Sequence, residues 1–262
     1  MRVSHVGGIL ILFMLSFFLS AGSVVADWHG GKALVLYKKG DGWVEWNYKD
    51  RLTWEKFRNE FAEQGWTVDF AKHVNASLLS NYDALFVLTP VKDIPDEEAQ
   101  AIIDWVKSGG QLVITQNGTD TYANEITAEF GIKFDGCRAM EINKFASHPV
   151  TTTPYLLNKV DGATARKIKV SGSSKEIGWY KGLLVKYCLL AVNDSAGEGV
   201  VVAIGDEWMW SKWRFNKWEN EELLDNILAY FRRTCSVPEF STPTFLIPVF
   251  LLAVLFLFRR KG

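Results

Sequence analysis

Short runs of branched apolar residues alternate with stretches whose apolar positions recur every three to four residues, and this alternation continues from about Asp27 to about Ser236. Residues 33–37, 67–71, 84–88, 111–115 and 200–204 read as strands, and their nearly unbroken apolar character suits strands covered on both faces. Between them, Trp54, Phe57 and Phe61 fall at helical spacing over 53–64, closed by Gly65. Pro95-Asp96-Glu97-Glu98 opens a second helix, with proline in the first turn and carboxylates facing the positive end of the dipole. Ala99, Ile102, Ile103 and Val106 form its apolar face, and Gly109-Gly110 ends it. Residues 121–130 and 219–231 predict further helices, while 131–192 loosens into strands and turns. The pattern contains no internal repeat and predicts one α/β domain over 27–236, with a mostly parallel sheet covered by helices on both faces.

The two ends have a different pattern. Arg2, an apolar stretch over 6–19 and the small-residue exit Val24-Val25-Ala26 compose a secretory signal peptide over 1–26, cleaved after Ala26; the alternative is an uncleaved amino-terminal anchor. At the other end, residues 240–258 are almost wholly apolar and precede Arg259-Arg260-Lys261. About 19 residues at ~1.5 Å each approach the ~30 Å of a bilayer core, so this segment predicts a transmembrane helix with its basic tail cytoplasmic. The domain is then expected outside the cell.

Composition narrows the chemistry. A net charge of −1 with 23% charged residues gives no basic footprint for nucleic acid. Cys137, Cys188 and Cys235 are too few for a disulfide framework and too scattered for zinc; if one bridge forms, Cys137 with Cys188 is the expected pair, leaving Cys235 free or modified. After the leader only His29, His73 and His148 remain, none at metal-ligand spacing, and His148 before Pro149 reads as a turn residue. No cofactor motif is present. Asn75, Asn117 and Asn193 begin sequons in stretches that read as loops, so glycosylation is expected there.

Ligands of open parallel sheets bind beyond the carboxyl ends of the strands. The residues in that position are Lys38, Lys39 and Asp41, then Thr89, Gln116 and Asn117, then Asp206 and Glu207. Asp41 with Asp206 could hold a cation, although a carboxylate there more often caps the following segment. Trp208, Trp210, Trp213 and Trp218, interspersed with Lys212, Arg214 and Lys217, suggest a sugar-stacking face, a partner-binding surface or a membrane-proximal patch. The competing reading places these indoles in the core.

Two resemblances add to this. Pro238-Glu239-Phe240, followed by the apolar run and basic end, resembles the PEF-type carboxy-terminal sorting signal (PEF-CTERM) of archaeal surface proteins. That likeness implies recognition by an archaeosortase and transfer of the ectodomain to a surface acceptor. Tyr82-Asp83-Ala84-Leu85-Phe86-Val87-Leu88, Ile94-Pro95-Asp96-Glu97-Glu98 and residues 105–114, with Ser147-His148-Pro149-Val150-Thr151, residues 199–206 and Asn226, resemble class I glutamine amidotransferase-like domains. The likeness is to their non-catalytic branch and implies a flavodoxin-like three-layer sandwich; Thr115-Gln116-Asn117-Gly118 stands where the catalytic relatives carry G-x-C-x-G.

The expected function is therefore a non-catalytic binding or structural module at the cell surface, with a surface glycan, another surface protein or the membrane as partner. The alternatives are a surface glycan hydrolase using Asp41, Asp206 or Glu207 as acid and base, and a ligand-binding accessory subunit of a transporter. Cleavage near Pro238-Glu239-Phe240 predicts a mature protein without residues 245–258; an intact mass that retains them counts against processing.

Overall fold

A computed structural model of the chain describes residues 31–36, 51–118, 120–137, 140–162 and 164–234. The expected leader, the sorting motif Pro238-Glu239-Phe240 with the apolar run 240–258, and Lys38, Lys39, Asp41, His29 and Cys235 lie outside the described residues.

Five parallel strands make the first part of the sheet: β1 (Lys32–Leu36), β2 (Thr67–Ala71), β3 (Ala84–Leu88), β4 (Gln111–Thr115) and, from late in the chain, β12 (Gly199–Ile204). Beyond β12 the sheet continues antiparallel through β11 (Lys186–Ala196), β10 (Lys175–Lys181) and the two-residue edge strand β7 (Lys144–Phe145), giving the order β2-β1-β3-β4-β12-β11-β10-β7 over eight strands. Two small antiparallel pairs stand apart, β5 (Ile132–Cys137) with β9 (Arg166–Val170) and β6 (Met140–Ile142) with β8 (Val160–Gly162). The helices are α1 (Arg51–Glu63), α2 (Ala76–Leu79), α3 (Asp96–Lys107), α4 (Asn124–Thr127), α5 (Pro149–Thr152) and α6 (Asn220–Thr234).

The expected mostly parallel, flavodoxin-like sandwich is corrected in its sheet. The sheet is mixed, because β10 and β11 form a hairpin beside β12 and carry the sheet on antiparallel. Among the described residues no helix is long and apolar enough to cross a bilayer; the carboxy-terminal membrane helix expected over 240–258 lies outside them. The helix expected over 121–130 is only the single turn α4, followed by a 3-10 turn at Ala128–Phe130 and Gly131 in the left-handed region.

Strand side chains alternate between two apolar layers. Leu34, Leu85, Val87, Leu112 and Ile114 pack against Ile102 and Val106 of α3. On the opposite face Phe86 meets Phe57 and Phe61 of α1 and the buried Trp210, with ring centres 5.9, 5.0 and 6.5 Å apart. Gly199, opening β12, lies so close to α3 that a Cβ there would sit 2.1 Å from the Val106 carbonyl oxygen. Only glycine lets this strand approach the helix end.

Two cysteine and sequon expectations are also corrected. Cys188 is a free, buried thiol on β11 whose Sγ donates to the Leu190 carbonyl at 3.4 Å, so it is not bridged to Cys137. Asn193 is inside β11 rather than on a loop, and its buried amide donates to the Phe130 carbonyl at 2.8 Å.

Buried carboxyls occur where α1 packs on α6. Burial, and then the hydrogen bond and charge of Asp225, hold the Glu60 carboxyl far above the usual glutamate range. A carboxyl whose pKa rises on folding favours the folded state at acid pH and costs stability as pH climbs past the unfolded value of 4.5. Glu60→Gln, neutral at every pH, is therefore expected to raise the melting temperature by about 2–4 °C at alkaline pH and to leave it unchanged in acid, as read by calorimetry across the pH range.

Candidate functional site

The residues that follow β3, β4 and β12 converge at the carboxyl edge of the sheet. Thr89 leaves β3 with φ 55°, a left-handed conformation unusual for a branched residue. Its backbone is held there by Thr115, whose Oγ1 accepts from Thr89 N at 3.0 Å. The Thr89 hydroxyl in turn donates to one oxygen of Glu207, and the Asn117 amide donates to the other at 2.6 Å. Gln116 is likewise engaged: Nε2 donates to the Pro90 carbonyl at 3.1 Å and Oε1 accepts from Ala123 N at 3.0 Å. All of these side chains are buried.

Asp206, fully buried, turns away from this group. Its two oxygens accept from Thr164 N at 2.8 Å and Trp208 N at 2.9 Å, the capping arrangement weighed against metal binding in the sequence. Burial pushes its carboxyl up to about 6 against the pull of those two N–H groups, with Asp161 adding to the rise and Arg214 opposing it. Gly205 is confined as well, since a Cβ would meet the Arg166 carbonyl oxygen at 2.4 Å. Thr89, Asn117 and Glu207 thus form a closed polar knot, with Gln116 beside it bonded to backbone groups and Asp206 capping a separate turn. Among the described residues no group of three or more His, Cys, Asp or Glu side chains could hold a metal. For the Asn117 sequon this means a buried amide already spent on Glu207, whereas the exposed Asn75 is the N-cap of α2, its Oδ1 accepting from Leu78 N at 2.8 Å.

The tryptophans divide. Trp210 is core, its Nε1 donating to the Asn220 carbonyl at 3.1 Å, which corrects its assignment to a recognition face. Trp208, Trp213 and Trp218 are exposed, Trp213 by 77%. Ammonium groups lie over two of these rings: Lys212 Nζ 4.5 Å from the Trp213 centre, Lys159 and Lys217 Nζ 3.9 and 4.1 Å from that of Trp218. The segment is rigidly held. Buried Asp161 pairs with Arg214 and, at 3.1 Å, with Lys217, while Asn220 Nδ2 donates to the Met209 and Arg214 carbonyls at 3.1 and 2.6 Å.

Sequence reasoning missed both Asp161 and Asn220. Asn220 was findable as a polar residue opening a helix ahead of Glu221 and Glu222, while Asp161 carried no signal in a region without periodicity. His148 is the N-cap of α5 rather than a simple turn residue; its Nδ1 accepts from Val150 N at 3.2 Å and its Nε2 meets Asp194 Oδ1 at 3.2 Å. Tyr230 and Lys175 also donate to Asp194, at 2.7 Å each, and with His148 first among the causes they hold its carboxyl well below the usual range. This cluster ties α5 and α6 to β11.

No protein-family model and no curated protein matches the chain. Solved structures do. The mmIFT52 N-terminal domain superposes with a TM-score of 0.64 at 13% identity, over 76% of this chain and 96% of that one. A cytoplasmic protein from Salmonella typhimurium LT2 gives 0.55 at 16% identity, over 76% and 99%. A putative ThuA-like protein from Bacteroides uniformis gives 0.52 at 12% identity, over 77% and 91%. At such identities the likeness concerns the fold alone.

Asp206→Asn tests the capping role. An amide offers one acceptor where two N–H groups need one each, so the change is expected to cost about 1–3 kcal/mol in urea denaturation at neutral pH. A loss below about 0.5 kcal/mol would mean that the carboxylate is not a structural cap.

Proposed function

We propose that the domain is a non-catalytic binding module, exported from the cell, whose recognition face is the segment carrying Trp208, Trp213 and Trp218. The single observation behind this reading is three exposed indoles on a segment that Asp161, Trp210 and Asn220 hold in place from beneath. Exposed aromatic groups already fixed in position lose little entropy on binding, which is how such residues become hot spots. The cations over Trp213 and Trp218 choose the partner class. A sugar ring carrying carboxylate or sulfate groups can meet Lys212, beside Lys159 and Lys217 that are paired with Glu141 and Asp161, while its apolar face lies along an indole.

The saturated hydrogen bonding of Asp206 and Glu207 supports the absence of acid and base catalysis, since a general acid or base must be able to reach a substrate proton. Export rests on the apolar leader, and archaeosortase recognition of Pro238-Glu239-Phe240 rests on the sorting-signal resemblance.

Retention on immobilised heparin at low ionic strength, a sulfated glycan used as probe, tests the reading. Trp208→Ala with Trp213→Ala is expected to weaken binding at least tenfold, roughly the loss of one hot spot, with the melting temperature unchanged. Equal retention of variant and parent, or unfolding of the variant, would overturn it.

A further inference from the structure

A second surface at the same end of the sheet has a different chemistry. Ile204 closes β12 opposite Leu190, so the earlier part of β11 and the later part of β10 run on past the carboxyl end of β12 as a projecting hairpin. Its turn is closed by Gly182 N donating to the Val185 carbonyl at 2.9 Å. At the apex Leu183 and Leu184 are 98% and 91% exposed, with Val185 also exposed. Single exposed leucines are ordinary. Two adjacent ones on a projecting turn are the most apolar point that a described loop presents to solvent.

The groups below the apex are arranged in tiers. Lys181 and Lys186 flank the turn, both exposed, and neither has a carboxylate partner among the described residues. Lys186 Nζ lies 3.9 Å from the centre of the Trp179 ring. Tyr180, Tyr187 and Trp179 follow, each half-buried. Glu176, the carboxylate of β10, accepts from Trp179 Nε1 at 2.7 Å and is directed back to the strand. An aliphatic tip, then ammonium groups, then amphipathic rings is the depth profile of a lipid interface: chains take the leucines, anionic headgroups the lysines, and the headgroup boundary the aromatic side chains.

We propose that the β10–β11 turn inserts Leu183 and Leu184 into the surface of a bilayer containing anionic lipid. This contact is separate from the tryptophan face and stands whether or not that face binds a glycan.

A photocrosslinker reports directly on what touches the tip. The full chain with Leu184→p-benzoylphenylalanine is illuminated with vesicles of phosphatidylcholine and phosphatidylglycerol; the control is the same substitution at Glu198, which is exposed on the β11–β12 turn at the opposite end of the sheet. Lipid adducts are expected at position 184 and not at 198, with yield falling at least tenfold when Lys181→Gln and Lys186→Gln are added, in line with the attraction of about two cations to an anionic leaflet. The proposal is overturned by no adduct at 184, by equal yields at 184 and 198, by equal yields from purely phosphatidylcholine vesicles, or by a covalent dimer in place of lipid, which would assign the tip to a second copy of the chain.

Discussion

The end of the parallel sheet is organised by one buried carboxylate. Glu207 accepts from Thr89 after β3 and from Asn117 after β4, while its own backbone continues from β12, so three strands are joined by side-chain hydrogen bonds where their ladder hydrogen bonds stop. A buried carboxyl group is tolerable only when its oxygens are satisfied, and this requirement accounts for the neighbouring oddities. It explains why Thr89 is held in a backbone conformation that threonine avoids, and why Asn117 is closed over rather than open to a sugar or a substrate. The edge at which open parallel sheets commonly bind ligands has here become part of the packing.

With that edge closed, the side chains left exposed to solvent lie further out. The segment after Asp206 must cross the end of the sheet before α6 begins, and it does so by alternating anchors with exposed rings. Trp210 goes inward against Phe57 and Phe86; Trp208, Trp213 and Trp218 stay outside. Asp161 and Asn220 fix the path from below. The hairpin β10–β11 ends at the same edge, so one end of the sheet carries both the exposed indoles of Trp208, Trp213 and Trp218 and the exposed Leu183 and Leu184.

The sequence made the parallel strands legible because strands buried on both faces leave continuous apolar runs, as 84–88 and 111–115 do. Helix α3 was equally readable from its proline, its acidic first turn and its closing glycines. Between 131 and 196 the signal failed for a physical reason: β9 and β10 each have one partly exposed face, and polar residues such as Lys167 and Lys169 break the apolar pattern. That failure hid the antiparallel half of the sheet and made Asn193 look like a loop residue. The candidate site was legible in membership but not in state. Spacing after strands identifies Thr89, Gln116, Asn117, Asp206 and Glu207, whereas whether those groups face outward or one another depends on partners distant in the chain, such as Thr164, that no local pattern records. The same limit applied to the tryptophans, where Trp210 and Trp213 differ in burial although three residues apart.

The brevity of β7 has a consequence for assembly. A sheet whose last strand offers two residues, Lys144 and Phe145, presents almost no free ladder to a neighbouring chain, and its lysine adds a repelling charge at the point of approach. Many copies crowded on one surface can therefore stand side by side without fusing into continuous β-structure along that border.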